Sequence, residues 1–236
     1  MATVRPGDAA NAIHVLQALG DSVTLLDGRC CGQPAFNSGF RDEARDAGRQ
    51  LLKAGQPFEA VVVTSGSCTS MVHNYLPGLF EAERSTAAGR IASRFVDFAS
   101  YLAAHPNLTS LALRLDGVVA YHDSCHTRRE LGVSHIVLSL LARIHGLEVR
   151  RLLHEEECCG FGGTFSIKQP EISGAMVEDK VKSLKATGAE RVVSADCGCL
   201  MHILGHAAWK DKQAGLAQPS LPGEHIASFL LRRTAK

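Results

Sequence analysis

Thiols are the side chains of this 236-residue chain best able to do chemistry, and its eight cysteines are not scattered. Two consecutive pairs, Cys30-Cys31 in "GRCCGQPAF" and Cys158-Cys159 in "EECCGFGGTF", each run into a glycine. Consecutive side chains on an extended strand point to opposite faces, so neighbouring thiols reach one point only where the backbone turns. The glycine that follows makes such a turn accessible. Cys125 stands ahead of the second pair with 32 residues between, and Cys199 beyond it with 39 between. Four thiolates brought together suit a soft metal, either an iron–sulfur cluster or a tetrahedral zinc ion. A helix entered just after the turn would aim its N-terminal amides at the sulfurs and favour their negative charge. Buried structural cysteines or a vicinal disulfide are the ordinary readings of isolated thiols, and they explain a set repeated in order less well.

Bringing such thiols together requires elements that end at one place. Short apolar runs alternate with longer stretches of helical period, the pattern of βαβ units around a parallel sheet. Strands are expected at Ser22–Leu26, Ala60–Thr64, Gly117–Tyr121, Glu148–Leu153 and Arg191–Ala195. Helices are expected at Gly7–Leu19, Arg41–Ala54, Ala92–Ala104, Ser134–Ile144, Glu171–Ala186, Leu200–Ala208 and His225–Arg232. The carboxyl ends of parallel strands gather on one edge, where open α/β sheets hold ligands. Cys125, the Cys158–Cys159 pair and Cys199 each follow an expected strand, so all four would reach that edge.

The chain is also written twice. After each "CCG" comes a helix closing on "LLKAG" (Leu51 to Gly55) or "SLKATG" (Ser183 to Gly188). Then "EAVVVTSGSC" (Glu59 to Cys68) answers "ERVVSADCGC" (Glu190 to Cys199), and "FASYL" (Phe98–Leu102) answers "IASFL" (Ile226–Leu230). Such order indicates duplication. The second half alone carries a strand running into a cysteine, "GVVAYHDSC" at Gly117–Cys125, ahead of its CCG. Projected onto the first half, the matching strand and thiol fall before Met1. The expected fold is therefore α/β: two homologous Rossmann-like halves, residues 1–110 and 111–236, with parallel sheets and a first half short of its first strand.

Composition narrows the function. A hydrophobic fraction of 45%, a charged fraction of 21% and a formal net charge of +1 describe an ordinary globular chain. Nucleic acid is not the expected partner, because phosphate binders usually show a basic excess. No apolar run reaches the length of a spanning helix and no signal segment opens the chain, so a cytoplasmic location is expected. In that reducing compartment, metal binding or redox chemistry explains the thiols better than a disulfide framework. "CGFGG" lacks a Walker lysine and the dinucleotide spacing. His122, His126, His154 and His202 lie near the cysteines and could ligate metal or hydrogen-bond a sulfur, but a cage of four thiolates needs no imidazole, so they read as outer neighbours or surface residues. His122-Asp123-Ser124 has no nucleophile elbow, and Arg128 and Arg129 either balance a negative cluster or face solvent.

The motifs "CCGQPAFNSG", "SGSC", "YHDSC", "ECCGFGGTFS" and "CLMHI" resemble the cysteine-rich CCG-domain family, most closely its lactate utilization protein A branch. More distant relatives are the cysteine-rich component of heterodisulfide reductase and the iron–sulfur subunits of glycolate oxidase and anaerobic glycerol-3-phosphate dehydrogenase. The resemblance implies a cytoplasmic oxidoreductase subunit that relays electrons through an iron–sulfur cluster of the 4Fe-4S kind. It implies partners in a multi-protein system taking L-lactate to pyruvate, among them a ferredoxin-like iron–sulfur protein. Carried over by position, the second site uses Cys125, Cys158, Cys159 and Cys199, and the first uses Cys30, Cys31 and Cys68, one ligand short. No residue takes a catalytic role in substrate chemistry. The C-x-x-C that ends each heterodisulfide reductase motif reads Ser65 to Cys68 and Asp196 to Cys199 here, which argues against a five-cysteine, noncubane cluster and leaves Cys197 a candidate extra thiol. A glycolate, glycerol-phosphate or heterodisulfide system, or a non-redox zinc module, are the alternative contexts.

Overall fold

The computed structural model describes residues 5–26, 30–80, 82–111 and 113–232. In the first half, α1 (Pro6–Ala18), α2 (Gln33–Asn37) and α3 (Arg41–Gly55) lead to β1 (Val61–Val63). Then come α4 (Gly66–Ser70), α5 (Ala82–Ala92), β2 (Phe95–Asp97) and α6 (Phe98–Ala104). The second half runs β3 (Arg114–His122), α7 (Ser134–Ala142), β4 (His145–Arg150), α8 (Phe165–Lys168) and α9 (Pro170–Ala186). It closes with β5 (Arg191–Ser194), α10 (Cys197–Gln213), β6 (Gly223–His225) and α11 (Ile226–Leu231). Every named strand pair is parallel: β1 with β2, and a four-stranded sheet in the order β4-β3-β5-β6. The α/β class expected from the alternating pattern is present.

Several boundaries differ from expectation for local reasons. The run 92–104 is not one helix. Phe95–Asp97 pair with Val61–Val63, Phe95 is buried, and the Asp97 carboxylate accepts from the Ser100 amide at 3.0 Å to cap α6. β6 was hidden in the same way, because three residues lead straight into α11, where His225 Nδ1 accepts from the Ala227 amide. β4 starts at His145, where it enters register with Arg114, and ends before Leu152 and Leu153. Those leucines imitate a strand in sequence, yet Leu153 is 78% exposed.

The expected strand Ser22–Leu26 joins no sheet. In the second half, β3 lies between β4 and β5. Among the described residues no strand occupies the corresponding place between residues 22–26 and β1. A groove of about 520 Å³ lies there instead, lined by Val23, Leu25, Val62 and Thr64, with Cys30, Cys31 and Cys68 also on its wall. An extended segment with no neighbour has no ladder to complete, so its backbone does not register as sheet.

The largest apolar cluster draws on both halves. One apolar cluster joins Ala12–Leu19 of α1 and Phe98–Leu102 of α6 to Val119 and Tyr121 of β3, Val137–Leu141 of α7 and Ile226–Leu230 of α11. α1 lies on α11, and Ser228 of α11 bonds both Asn11, at 2.8 Å, and the buried Asp8. Smaller clusters flank this core around β1 and β2, and around α9 and α10. Phe229 is fully buried within the shared core. Phe229→Ala is expected to cost about 3–5 kcal/mol and to lower a single calorimetric transition for the whole chain. Two separated transitions would contradict a shared core.

Candidate metal centre

Both CCG turns are built alike. Gly32 has φ +85° and Gly160 φ +83°, conformations that glycine adopts without a Cβ penalty. A Cβ on Gly32 would stand 2.7 Å from the Ala44 carbonyl oxygen in α3, and one on Gly160 would stand 2.9 Å from the Ser173 carbonyl oxygen in α9. Each glycine thus lets its turn sit against the first turn of the following long helix. The reversed backbone points its own amide at the first sulfur of the pair: Gly32 N–H to Cys30 Sγ at 3.4 Å, and Gly160 N–H to Cys158 Sγ at 3.3 Å.

In the second half these turns meet the ends of two strands. Cys125 follows β3, and its thiol interacts with that of Cys158. Cys159 Sγ lies 3.2 Å from Cys199 Sγ, near the start of α10. The four residues named from the sequence are therefore neighbours in series, Cys125 with Cys158, Cys158 with Cys159 and Cys159 with Cys199, the last pair in close contact. In the first half Cys30, Cys31 and Cys68 are linked in the same manner. Cys197 does not join the second group. It is buried and interacts with Ser65, close to Cys68 in the other half.

Adjacent sulfurs in a low-dielectric pocket cannot all ionise, so charge concentrates on one. The thiols of Cys125 and Cys159 and the Gly160 amide hold the Cys158 thiolate and lower its pKa to about 2, while Cys125 and Cys159 are pushed up. Cys31 does the same for Cys30, lowered to about 6, and is itself raised. Cys199 gains from Cys159, but burial and the Asp196 charge outweigh this and raise it. A cation bound among these sulfurs would remove the mutual repulsion, which is how a thiolate site favours metal.

The surroundings fit an anionic guest. The acidic run Glu155–Glu157 is tied back by Arg128 to Glu155 at 3.1 Å, by Arg151 to the same carboxylate, and by Arg129 to the Glu156 carbonyl. The two arginines after Cys125 thus fasten the loop before Cys158, Arg128 from a half-buried position and Arg129 from an exposed one. Buried Lys180 donates to the His154 carbonyl at 3.2 Å and feels the charges of Cys158 and Cys159. His126 Nδ1 is 3.6 Å from Cys125 Sγ, and His202 bonds Ser173 and stacks on Phe161. His154 is exposed. His122 differs from the other three: it is buried, and its ring lies within 4.8 Å of the Cys159 and Cys199 sulfurs. Burial and then Lys180 lower its pKa to about 4. Its place at the end of a buried strand was the signal that could have set it apart.

Asp196 joins the two halves. Its Oδ1 accepts from the Gly198 and Cys199 amides at 2.9 and 3.1 Å, capping α10. Its Oδ2 accepts from the Ser67 amide at 2.8 Å and from Ser65 Oγ at 3.2 Å, at the start of α4. Asp196 and Ser65 hold the same offset in the matched stretches 190–199 and 59–68, and they pair with each other in an antiparallel bridge. Burial opposes this charge, but the Ser67 and Cys199 amides outweigh it and the pKa is lowered.

A profile of the CCG family, described as a cysteine-rich domain, matches residues 3–73 and 119–204. Among curated proteins, lactate utilization protein A 2 of Bacillus cereus (strain Q1) is 34% identical over 234 residues, 98% of this chain and 94% of the relative. Lactate utilization protein A 1 of B. cereus (strain AH820) is 39% identical over 225 residues, 94% and 91% of the two chains. Lactate utilization protein A 2 of Bacillus anthracis (strain A0248) is 35% identical over 210 residues, 88% and 87%.

Asp196→Ala strands the Ser67, Gly198 and Cys199 amides, and a buried donor left unsatisfied costs about 1–3 kcal/mol, so destabilisation of about 3 kcal/mol or more is expected in denaturant titrations. Because the folded pKa lies below the unfolded one, the charge contributes fully above the unfolded value of about 3.9. That contribution fades as pH falls through the lower folded value. Denaturation midpoints measured from pH 6 to pH 3 should therefore fall less steeply in Asp196→Asn than in the wild type.

Proposed function

The chain belongs to the CCG cysteine-rich domain family, and from that premise we propose that it is an iron–sulfur, electron-carrying subunit of a multi-protein L-lactate-oxidising system. The observation that carries this reading is the series of neighbouring thiols Cys125, Cys158, Cys159 and Cys199. These thiols would hold a cluster of the 4Fe-4S kind, which when bound supplies one-electron redox chemistry. The protein's own residues supply the rest: Gly160 turns two neighbouring thiols to one side, its amide and Lys180 offset negative charge, and Asp196 sets the helix that carries Cys199. The names of the curated relatives support lactate utilization as the setting. No helix among the described residues is long and apolar enough to cross a membrane, which is compatible with work in the cytoplasm beside partners that handle the substrate, a ferredoxin-like iron–sulfur protein among them.

Anaerobic purification followed by iron and acid-labile sulfide analysis and EPR tests the proposal. The expected result is a coloured protein with iron and sulfide in equal amounts and an EPR signal on reduction. Cys158→Ser and Cys199→Ser should lose most of that iron. A colourless, zinc-loaded, EPR-silent protein would overturn the electron-transfer reading and favour a non-redox zinc module.

The halves are read as two repeats, residues 1–110 and 111–236, with Cys30, Cys31 and Cys68 as an incomplete counterpart of the second site. The groove beside β1 supports this, since it lies where β3 lies in the other half and shares its wall with those three thiols. A segment copying Arg114–Cys125, linked flexibly ahead of residue 1, should fill the groove, raise Tm by several degrees and increase the iron content. Unchanged Tm and iron content would count against an incomplete first repeat.

A further inference from the structure

We propose that His122 is a positioning residue of the second thiol cage, its imidazole N–H donating a hydrogen bond to a Cys159 or Cys199 sulfur that holds the cluster. The inference rests on the iron–sulfur reading above and goes beyond it, since the four cysteines alone would satisfy a cluster. His122 is the last residue of β3 and is 1% exposed. Neither ring nitrogen has a hydrogen-bond partner within the protein. Any tautomer of imidazole carries at least one N–H, and a buried donor without an acceptor costs about 1–3 kcal/mol. The Asp196 carboxylate, whose charge reaches His122, is committed elsewhere: its oxygens serve Ser65, Ser67, Gly198 and Cys199. The ring nitrogen is grouped within 4.8 Å of two sulfurs, Cys159 and Cys199.

A neutral thiol is a weak acceptor, whereas a metal-bound thiolate carries charge and accepts well. The donor that is unsatisfied beside thiols is therefore matched to the ligated form of the same sulfurs. Its place on a sheet strand fixes the ring without a flexible loop. His126, the other histidine close to a cage sulfur, is already engaged by Gln33 at 3.2 Å and faces Glu130. A hydrogen bond to a ligating sulfur stabilises the more negative, reduced cluster, so His122 would raise the reduction potential.

The test uses the full chain, reconstituted anaerobically with iron and sulfide and labelled with ¹⁵N-histidine. Pulsed EPR of the reduced cluster should show a weak ¹⁵N coupling typical of a hydrogen-bonded nitrogen. His126→Asn/His202→Asn protein should retain it, so the assignment does not require a His122 variant to fold. His122→Phe should lose the coupling and shift the midpoint potential to more negative values, and His122→Asn, which keeps an N–H donor, should recover part of that shift. A full cluster in the wild type with no histidine coupling, or with the strong coupling of a directly bound nitrogen, would overturn the inference and leave the iron–sulfur reading standing. An unchanged potential in a cluster-replete His122→Phe protein would also overturn it. Wild-type protein that takes up no iron and sulfide would overturn the parent reading, and this one with it.

Discussion

One carboxylate holds the arrangement of thiols together. Asp196 is buried and charged, a combination that is costly unless every lone pair is engaged. Here the oxygens divide between two helix starts, one in each half: α10 through Gly198 and Cys199, and α4 through Ser67. Cys199 and Cys68 each lie three residues past the corresponding positions Asp196 and Ser65, so the same cap that satisfies the amides also places a sulfur of each group. Ser65 and Asp196 also pair directly, so the two CCG-matched stretches of the chain meet at this point. A shift of either helix start would strand donors in both halves.

Around that fixed point, the chain manages the repulsion of clustered sulfurs by local means. Left-handed glycines turn each pair and offer an amide to its first sulfur. The second group receives more support than the first. It has buried Lys180, a loop of glutamates fastened by Arg128, Arg129 and Arg151, and His122 on the strand end. Counted back from the matched helix ends, Leu52-Lys53-Ala54 against Leu184-Lys185-Ala186, the position of Lys180 is taken by Gly48, and among the described residues no strand beside the groove carries a counterpart of His122. The two groups share a turn geometry but differ in their electrostatic setting.

The shared core ties the first and second parts of the chain together. α1 buries its apolar face on α11, and α6 packs on α7 within the same cluster. Burial of that surface contributes far more than the single three-residue pairing of β1 with β2. The first half is therefore held by helices that lean on the second, and its thin sheet does not have to stand alone.

Much of this was legible in residue order. Alternating apolar runs and helical stretches specify a parallel α/β arrangement because side-chain period and connection length leave few other options. The doubled CCG, the matched cysteines at 68 and 199, and the extra strand before Cys125 mark both thiol groups and the unequal halves. Other features arise only when distant segments meet. Three-residue β2 and β6 are too short to carry a periodic signal, and residues 22–26 look like a strand but pair with none among the described residues. Nothing in "DCGC" reveals that Cys199 turns to one half's sulfurs and Cys197 toward the other half, or that Asp196 caps two helices at once. Those outcomes depend on which groups are left unsatisfied after packing, a property of the assembled interior that local sequence does not encode.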